Sequence, residues 1–199
     1  MKRDIIMTKP LKSSFLSCEK DALTIIKKLF VESRPHSDTL KKLLIINTKD
    51  CIDENSINAK KYKEIIDSYS IAKIMNEGYF TLVPKFKMRE HEEVKNYVAV
   101  SFDNFTQTSN PEYRDCIVSF DIMCHLDYWD LGDYKLRPLK IAGYIDGILN
   151  NARLSGIGTF EFISARELVF DENFAGYTLI YQATHGNDDK LPPEEEYVN

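Results

Sequence analysis

The sequence predicts an α+β fold in which N-terminal helices precede a mostly antiparallel sheet packed against one central helix. Three observations carry that expectation. Arg114–Leu126 alternates cleanly, with Val118, Phe120, Ile122, Cys124 and Leu126 on one face and Ser119, Asp121, Met123 and His125 on the other. That period of two is the signature of a half-buried strand. Pro138, a residue favoured in the first turn of a helix, opens a run to about Ala152 whose apolar stripe is Leu136, Ile141, Ile145, Ile148, Leu149 and Ala152. Finally, Tyr177, Leu179, Tyr181 and Ala183 alternate with Thr178, Ile180, Gln182 and Thr184. The stretch from Arg114 to Thr184 therefore reads β–α–β–β, with one sheet face greasy and the other polar, as antiparallel sheets allow.

The elements ahead of that unit follow in order. Residues 1–16 read as an arm, basic through Lys2, Arg3, Lys9 and Lys12 and barred from continuous helix by Pro10. Residues 17–77 read as a helical region. Ser17 can cap a helix to about Ser33, with Ala22, Ile25, Ile26, Leu29 and Phe30 in one stripe, and Arg34-Pro35 ends it. Ser37 or Asp38 can cap a shorter helix through Leu40, Leu43 and Leu44, although Leu43–Ile46 could equally enter as a strand. A polar, turn-rich loop, residues 47–58, precedes a helix from Ala59 to about Glu77, which Gly78 is placed to stop.

Residues 78–185 form the expected α+β core. Tyr79–Val83 and Tyr97–Phe102 are short strands, joined by a charged connection, Lys85–Glu93, that is basic at its start (Lys85, Lys87, Arg89). A polar loop, Asp103–Tyr113, leads to the long strand. Gly143 and Gly147 cost the central helix propensity and suggest close approach to a neighbour. Phe160 and Phe162 are expected inward, and the alternation slips near Ser164–Arg166, which suggests a bulge. Residues 186–199, with five acids, one Lys and Pro-Pro, read as a flexible acidic tail.

Charge is unevenly spread. The net charge is −5, yet residues 1–50 carry 11 Lys/Arg against 6 Asp/Glu and the remainder carries 15 against 25. A dipolar chain of this kind suits contact with surfaces of different sign, including its own copies, and the acidic bulk argues against a general nucleic-acid binder. The N-terminus lacks the apolar core of a secretory signal, and no run approaches membrane-spanning length. Cys116 and Cys124, eight apart on one strand, would lie roughly 26 Å apart, out of disulfide reach. With Cys18 and Cys51 they read as free thiols of a reducing cytoplasm.

No catalytic set emerges. GIG at 156–158 precedes a strand, the wrong context for a dinucleotide loop, and nucleophile-elbow, HExxH and CxxC motifs are absent. Asp50, Asp53 and Asn55 lack the central glycine and closing glutamate of a calcium loop. His125, Asp127, Asp130 and Asp133 cluster in sequence but match no closed metal-ligand set. Asp121 and Glu161 would pair only on adjacent strands. The expectation is therefore a non-enzyme without cofactor or metal. A metal-dependent nucleic-acid enzyme using Asp121, His125, Asp127 or Glu161, and an adaptor binding a protein through the polar sheet face, remain the alternatives. Tyr128, Trp129 and Asp130, at the corner after the long strand, are candidate subunit contacts together with Lys85, Lys87 and Arg89. Core anchoring is the other role open to Trp129.

Three segments, YKLRPLKIAGYIDGILNN, LSGIGTFEFISARELVF and FAGYTLIYQATHG, resemble the tail-terminator and head–tail joining (neck) proteins of tailed bacteriophages. The resemblance spans roughly residues 79–186 and lies in the order and texture of elements. It implies a tail-terminator-like fold and a virion protein assembled in the host cytoplasm. Six-fold rings are more in keeping with it than twelve-fold ones. Its implied partners are further copies of itself, the portal or connector, tail proteins and the DNA passing through the channel, with no membrane. The helices ahead of the first strand depart from the simplest members and leave ring order and position in the neck open.

Overall fold

The long alternating strand is the centre of the sheet. In a computed structural model that describes residues 5–7, 14–82, 95–110, 113–154, 157–186 and 195–197, it runs as β4, Tyr113–His125. It is paired along its whole length with β8, Phe174–Gly186, and on its other side with β3, Tyr97–Gln107. Beyond β8 lies β7, Glu161–Val169, and beyond β3 lies β2, Phe80–Thr81, giving the order β2-β3-β4-β8-β7. Only β2 runs parallel to its neighbour. Two short strands, β5 (Arg153–Leu154) and β6 (Gly158–Thr159), form a separate pair.

The apolar face of the sheet carries Cys116, Val118, Phe120, Ile122 and Cys124 from β4, all buried. Against it pack α5, Arg137–Leu149, and α1, Ser14–Lys27, which widens into a π-helical turn at Lys28–Glu32. Helix α2, His36–Ile45, lies over α5, and α3, Ala59–Asp67, lies over α2. Tyr181 anchors the centre of the core. Its ring meets Phe120 edge-on at 5.7 Å and Phe160 at 6.0 Å, and its buried hydroxyl donates to Asp146 on α5 at 2.8 Å. That bond answers the one polar atom Tyr brings into the core. All four cysteines are free thiols, and burial pushes the Cys124 thiol up to about 12.

Several boundaries differ from expectation. β3 extends through Asp103–Gln107, expected as loop, because β4 is long enough to supply partners as far as Arg114. The ladder slips between Asp103 and Thr106, where Asn104 adopts a positive φ of 50°. The helix expected over 59–77 is two: α3, then α4, Ile71–Asn76. Two serines explain the break. Ser68 donates its hydroxyl to the Ile65 carbonyl, and Ser70 caps α4 by accepting from the Lys73 amide at 3.2 Å. Leu126 leaves the apolar face because the chain turns out of the sheet at Leu126–Tyr128. Phe162 is 45% exposed rather than inward, since the bulge falls earlier than expected, between Phe162 and Ser164, on an outer strand. Gly143 and Gly147 mark no close approach: a Cβ at either would meet nothing within 4 Å. Gly176 is the glycine that the packing requires, since a Cβ there would overlap the Ile122 carbonyl.

At the termini, β1 (Ile5–Met7) pairs antiparallel with β9 (Glu195–Tyr197), a two-stranded ribbon where the sequence reads a loose arm and a loose tail.

Candidate assembly surface

Arg137 is the residue on which one rim of the molecule is built. It sits at the start of α5 and is fully buried. Its guanidinium spends its donors on backbone carbonyls: Nη1 on Leu43 at 2.6 Å and Ile46 at 3.0 Å, Nη2 on Thr48 at 2.7 Å, and Nε on Tyr128 at 2.8 Å. Leu43 and Ile46 lie at the C-terminal end of α2, where unpaired carbonyls and the helix dipole favour a cation. Asn96, also buried, adds its amide to the same end, donating to Leu43 at 3.2 Å and to the Asn47 side chain at 2.9 Å. One planar fork thus welds three segments: the end of α2, loop 47–58 and the corner after β4.

Each of the two welded loops is locked again from within. In loop 47–58 the Asp50 carboxylate accepts from the hydroxyls of Ser56 and Tyr62 (the latter at 2.8 Å) and from Asn58 at 3.5 Å. These donors, the Ser56 hydroxyl foremost, hold its pKa far below the usual carboxylate range. Asp53 accepts the Asn55 amide at 2.9 Å in a local Asx turn. In the corner, Asp130 accepts the Gly132 amide at 2.8 Å, and Gly132, Asp133 and Tyr134 all take positive φ, 79°, 47° and 59°. The Lys135 amide closes on the Gly132 carbonyl at 2.9 Å, so Asp133 and Tyr134 form the centre of a type I′ turn. Lys49 of the first loop pairs with Asp130 of the second at 3.2 Å. The Gly132 amide, then Lys49, hold the Asp130 carboxyl below its ordinary pKa.

The locked loops each present a large side chain wholly to water: Ile57 is 98% exposed and Tyr134 104%. A positive φ at a non-glycine aromatic costs energy that nothing inside the chain repays, and such strain gathers at functional sites. Exposed acids surround the two tips: Asp53 and Glu54 on one loop, Asp127 and Asp133 on the other.

Of the expected contact residues, the structure brings Tyr128, Trp129 and Asp130 to this rim in different roles. Trp129 is half-buried and packs on the core, Tyr128 is half-buried and lends its carbonyl to Arg137, and Asp130 is exposed but occupied by Lys49. Lys85, Lys87 and Arg89 lie outside the described residues. Arg137, Ile57 and Tyr134 escaped sequence reasoning. Gly132-Asp133 before a tyrosine was the available turn signal for Tyr134. Nothing local marks Arg137 as buried.

A second feature is the far side of the sheet. On the face away from the helices, one row crosses four strands as Ala99, Asp121, Thr178 and Arg166, of which Ala99 and Thr178 are buried, Asp121 is half-buried and Arg166 is exposed. Thr178 donates to Asp121 at 2.6 Å, and Thr184 donates to Asp115 at 2.8 Å. Strand β7 has β8 on one side and no strand on the other among the described residues, and it exposes Phe162, Ile163 and Val169. The residues of the nuclease alternative are not brought together as one set, although His125 lies 3.5 Å from Asp127. Asp121 aligns with Thr178 and Glu161 with Gln182, so β8 separates them by two strand spacings and four residues, roughly 16 Å. His125 stacks edge-on on Phe174 at 4.9 Å and accepts the Asp127 amide at 3.2 Å. Among the described residues no group of three or more His, Cys, Asp or Glu could hold a metal ion, and no helix is long and apolar enough to cross a membrane.

The model of one protein family, YomW, matches residues 37–183, which takes in α2 to α5 and β2 to β8. Among solved structures, the chain is similar to one in "Virion of native gene transfer agent (GTA) particle", at 11% identity over 62% of this chain and 90% of that one. The TM-score there is 0.39, a likeness too slight to bear on fold or role.

Proposed function

The chain belongs to the YomW family, and on that premise we propose that it is a structural protein of a phage virion, forming a ring at the head–tail junction. YomW is a phage-type family, and the three segments that resemble tail-terminator and neck proteins all fall within the matched residues or run a few residues past them. The observation that carries the reading is the welded rim. A chain that stiffens two loops around a buried arginine, then exposes Ile57 and Tyr134 at their tips, is equipped to be covered by another protein.

The sheet supports the same reading. Its polar face holds carboxylates already bonded to threonine hydroxyls, a wall of fixed, weakly acidic character that would let DNA slide past rather than hold it. In the ring, Tyr128–Asp130 and the basic start of the 85–93 connection (Lys85, Lys87, Arg89) are contacts to neighbouring copies, the connector or tail proteins. Six copies are favoured over twelve. Mass spectrometry of purified virions, with electron microscopy of the neck labelled at the chain's C-terminus, tests this directly. The expected result is a ring-shaped density at the head–tail junction. Virions that lack the chain altogether would overturn the reading.

A further inference from the structure

We propose that the acidic rim carrying Ile57 and Tyr134 docks on the outer face of α1 in a second copy of this chain, an inference that rests on the ring reading and names its interface. The rim offers two fully exposed apolar tips on loops that lose little freedom when covered, because Arg137, Asp50 and Asp130 already hold them. Its exposed charge is negative on balance: Asp53, Glu54, Asp127 and Asp133 stand against Lys135, which lies 3.7 Å from Asp133, while Lys49 is engaged with Asp130.

The surface that answers both features lies on α1 and the turn after it. Leu23 on α1 and Val31 on the π-helical turn that continues it are 45% and 50% exposed, outside the core stripe of Ile25, Ile26, Leu29 and Phe30. Around them Lys20, Lys27 and Lys28 outnumber Glu19 and Glu32, and Arg34 is paired with Asp38 at 3.4 Å. The sign is opposite to that of the rim, and an apolar centre within a charged border is the ordinary anatomy of a protein interface. Rim and α1 are different patches of the same chain. Contact between them is therefore head-to-tail, the kind that closes into a ring when the rotation permits.

The test uses the full chain with p-benzoyl-phenylalanine in place of Tyr134, irradiated at a concentration where light scattering shows the assembly. The expected product is a cross-linked dimer whose junction maps by mass spectrometry to residues 19–34 of the second copy. In parallel, Lys27→Glu should weaken assembly by about tenfold, and Asp133→Lys in the same chain should restore it. A junction that maps elsewhere in the chain, with assembly intact in Lys27→Glu, overturns this interface and leaves the ring standing. A wild-type chain that stays monomeric and yields no cross-link between copies overturns both.

Discussion

The Arg137 rim and the outer strand β7 both expose apolar side chains, and they do so in opposite ways. At the rim, single residues stand on loops fixed by a buried guanidinium and two locked carboxylates. At β7 a whole strand has no partner on one edge among the described residues and is interrupted by a bulge, with Glu161, Arg166 and Glu167 between its apolar residues. Charges and bulges are how natural sheets keep an outer strand from indiscriminate pairing. The rim also carries charges, Asp53, Glu54, Asp127 and Asp133, but they border its two tips, which stand on loops rather than on an open strand edge. Rigid apolar tips within a charged border suit one partner, whereas charges and a bulge along a strand edge control its pairing.

Breaking the weld gives the largest expected effect. Arg137→Met leaves the carbonyls of Leu43, Ile46, Thr48 and Tyr128 unanswered in a buried site, and should lower unfolding stability by about 3–5 kcal/mol, read as a fall in denaturant midpoint. A loss under about 1 kcal/mol would mean that the rim is not held from within. Asp50→Asn sharpens the comparison at one loop. The folded pKa of Asp50 is depressed, so its stabilisation is complete above the ordinary carboxylate range, near pH 4, and drains away as pH falls through the folded value. The variant should lose about 1–2 kcal/mol at pH 7 and show a shallower loss of stability between pH 4 and pH 2 than the wild type. Smaller still, Gly143→Ala on the solvent side of α5 should raise stability by about 0.5–1 kcal/mol, because the added methyl meets nothing and the helix gains propensity.

The sequence revealed regular elements well and the rim poorly, for a physical reason. Strand β4 and helix α5 announce themselves because burial on one face imposes a period that any window of ten residues displays. Strand β3 beyond Phe102 did not, since Asp103, Asn104 and Thr106 are held there by a long partner strand rather than by their own propensities. The aromatics of the corner after β4 point to a contact there, yet the exposed one is Tyr134 while Trp129 turns to the core. Exposure at a loop tip depends on where the loop is tied. The ties here join Arg137 to residues some ninety positions away, a separation no local pattern can carry.

The most direct measurement is the mass of the full chain in solution by light scattering, for the wild type and for the pair Ile57→Ser and Tyr134→Ala. Both side chains are wholly exposed, so the double variant should unfold within about 0.5 kcal/mol of the wild type. The account predicts a closed ring at a multiple of the 23.1 kDa chain, six being favoured, and a variant that remains monomeric. A wild type that is monomeric at every concentration, or a variant that assembles as readily as the wild type, would contradict it.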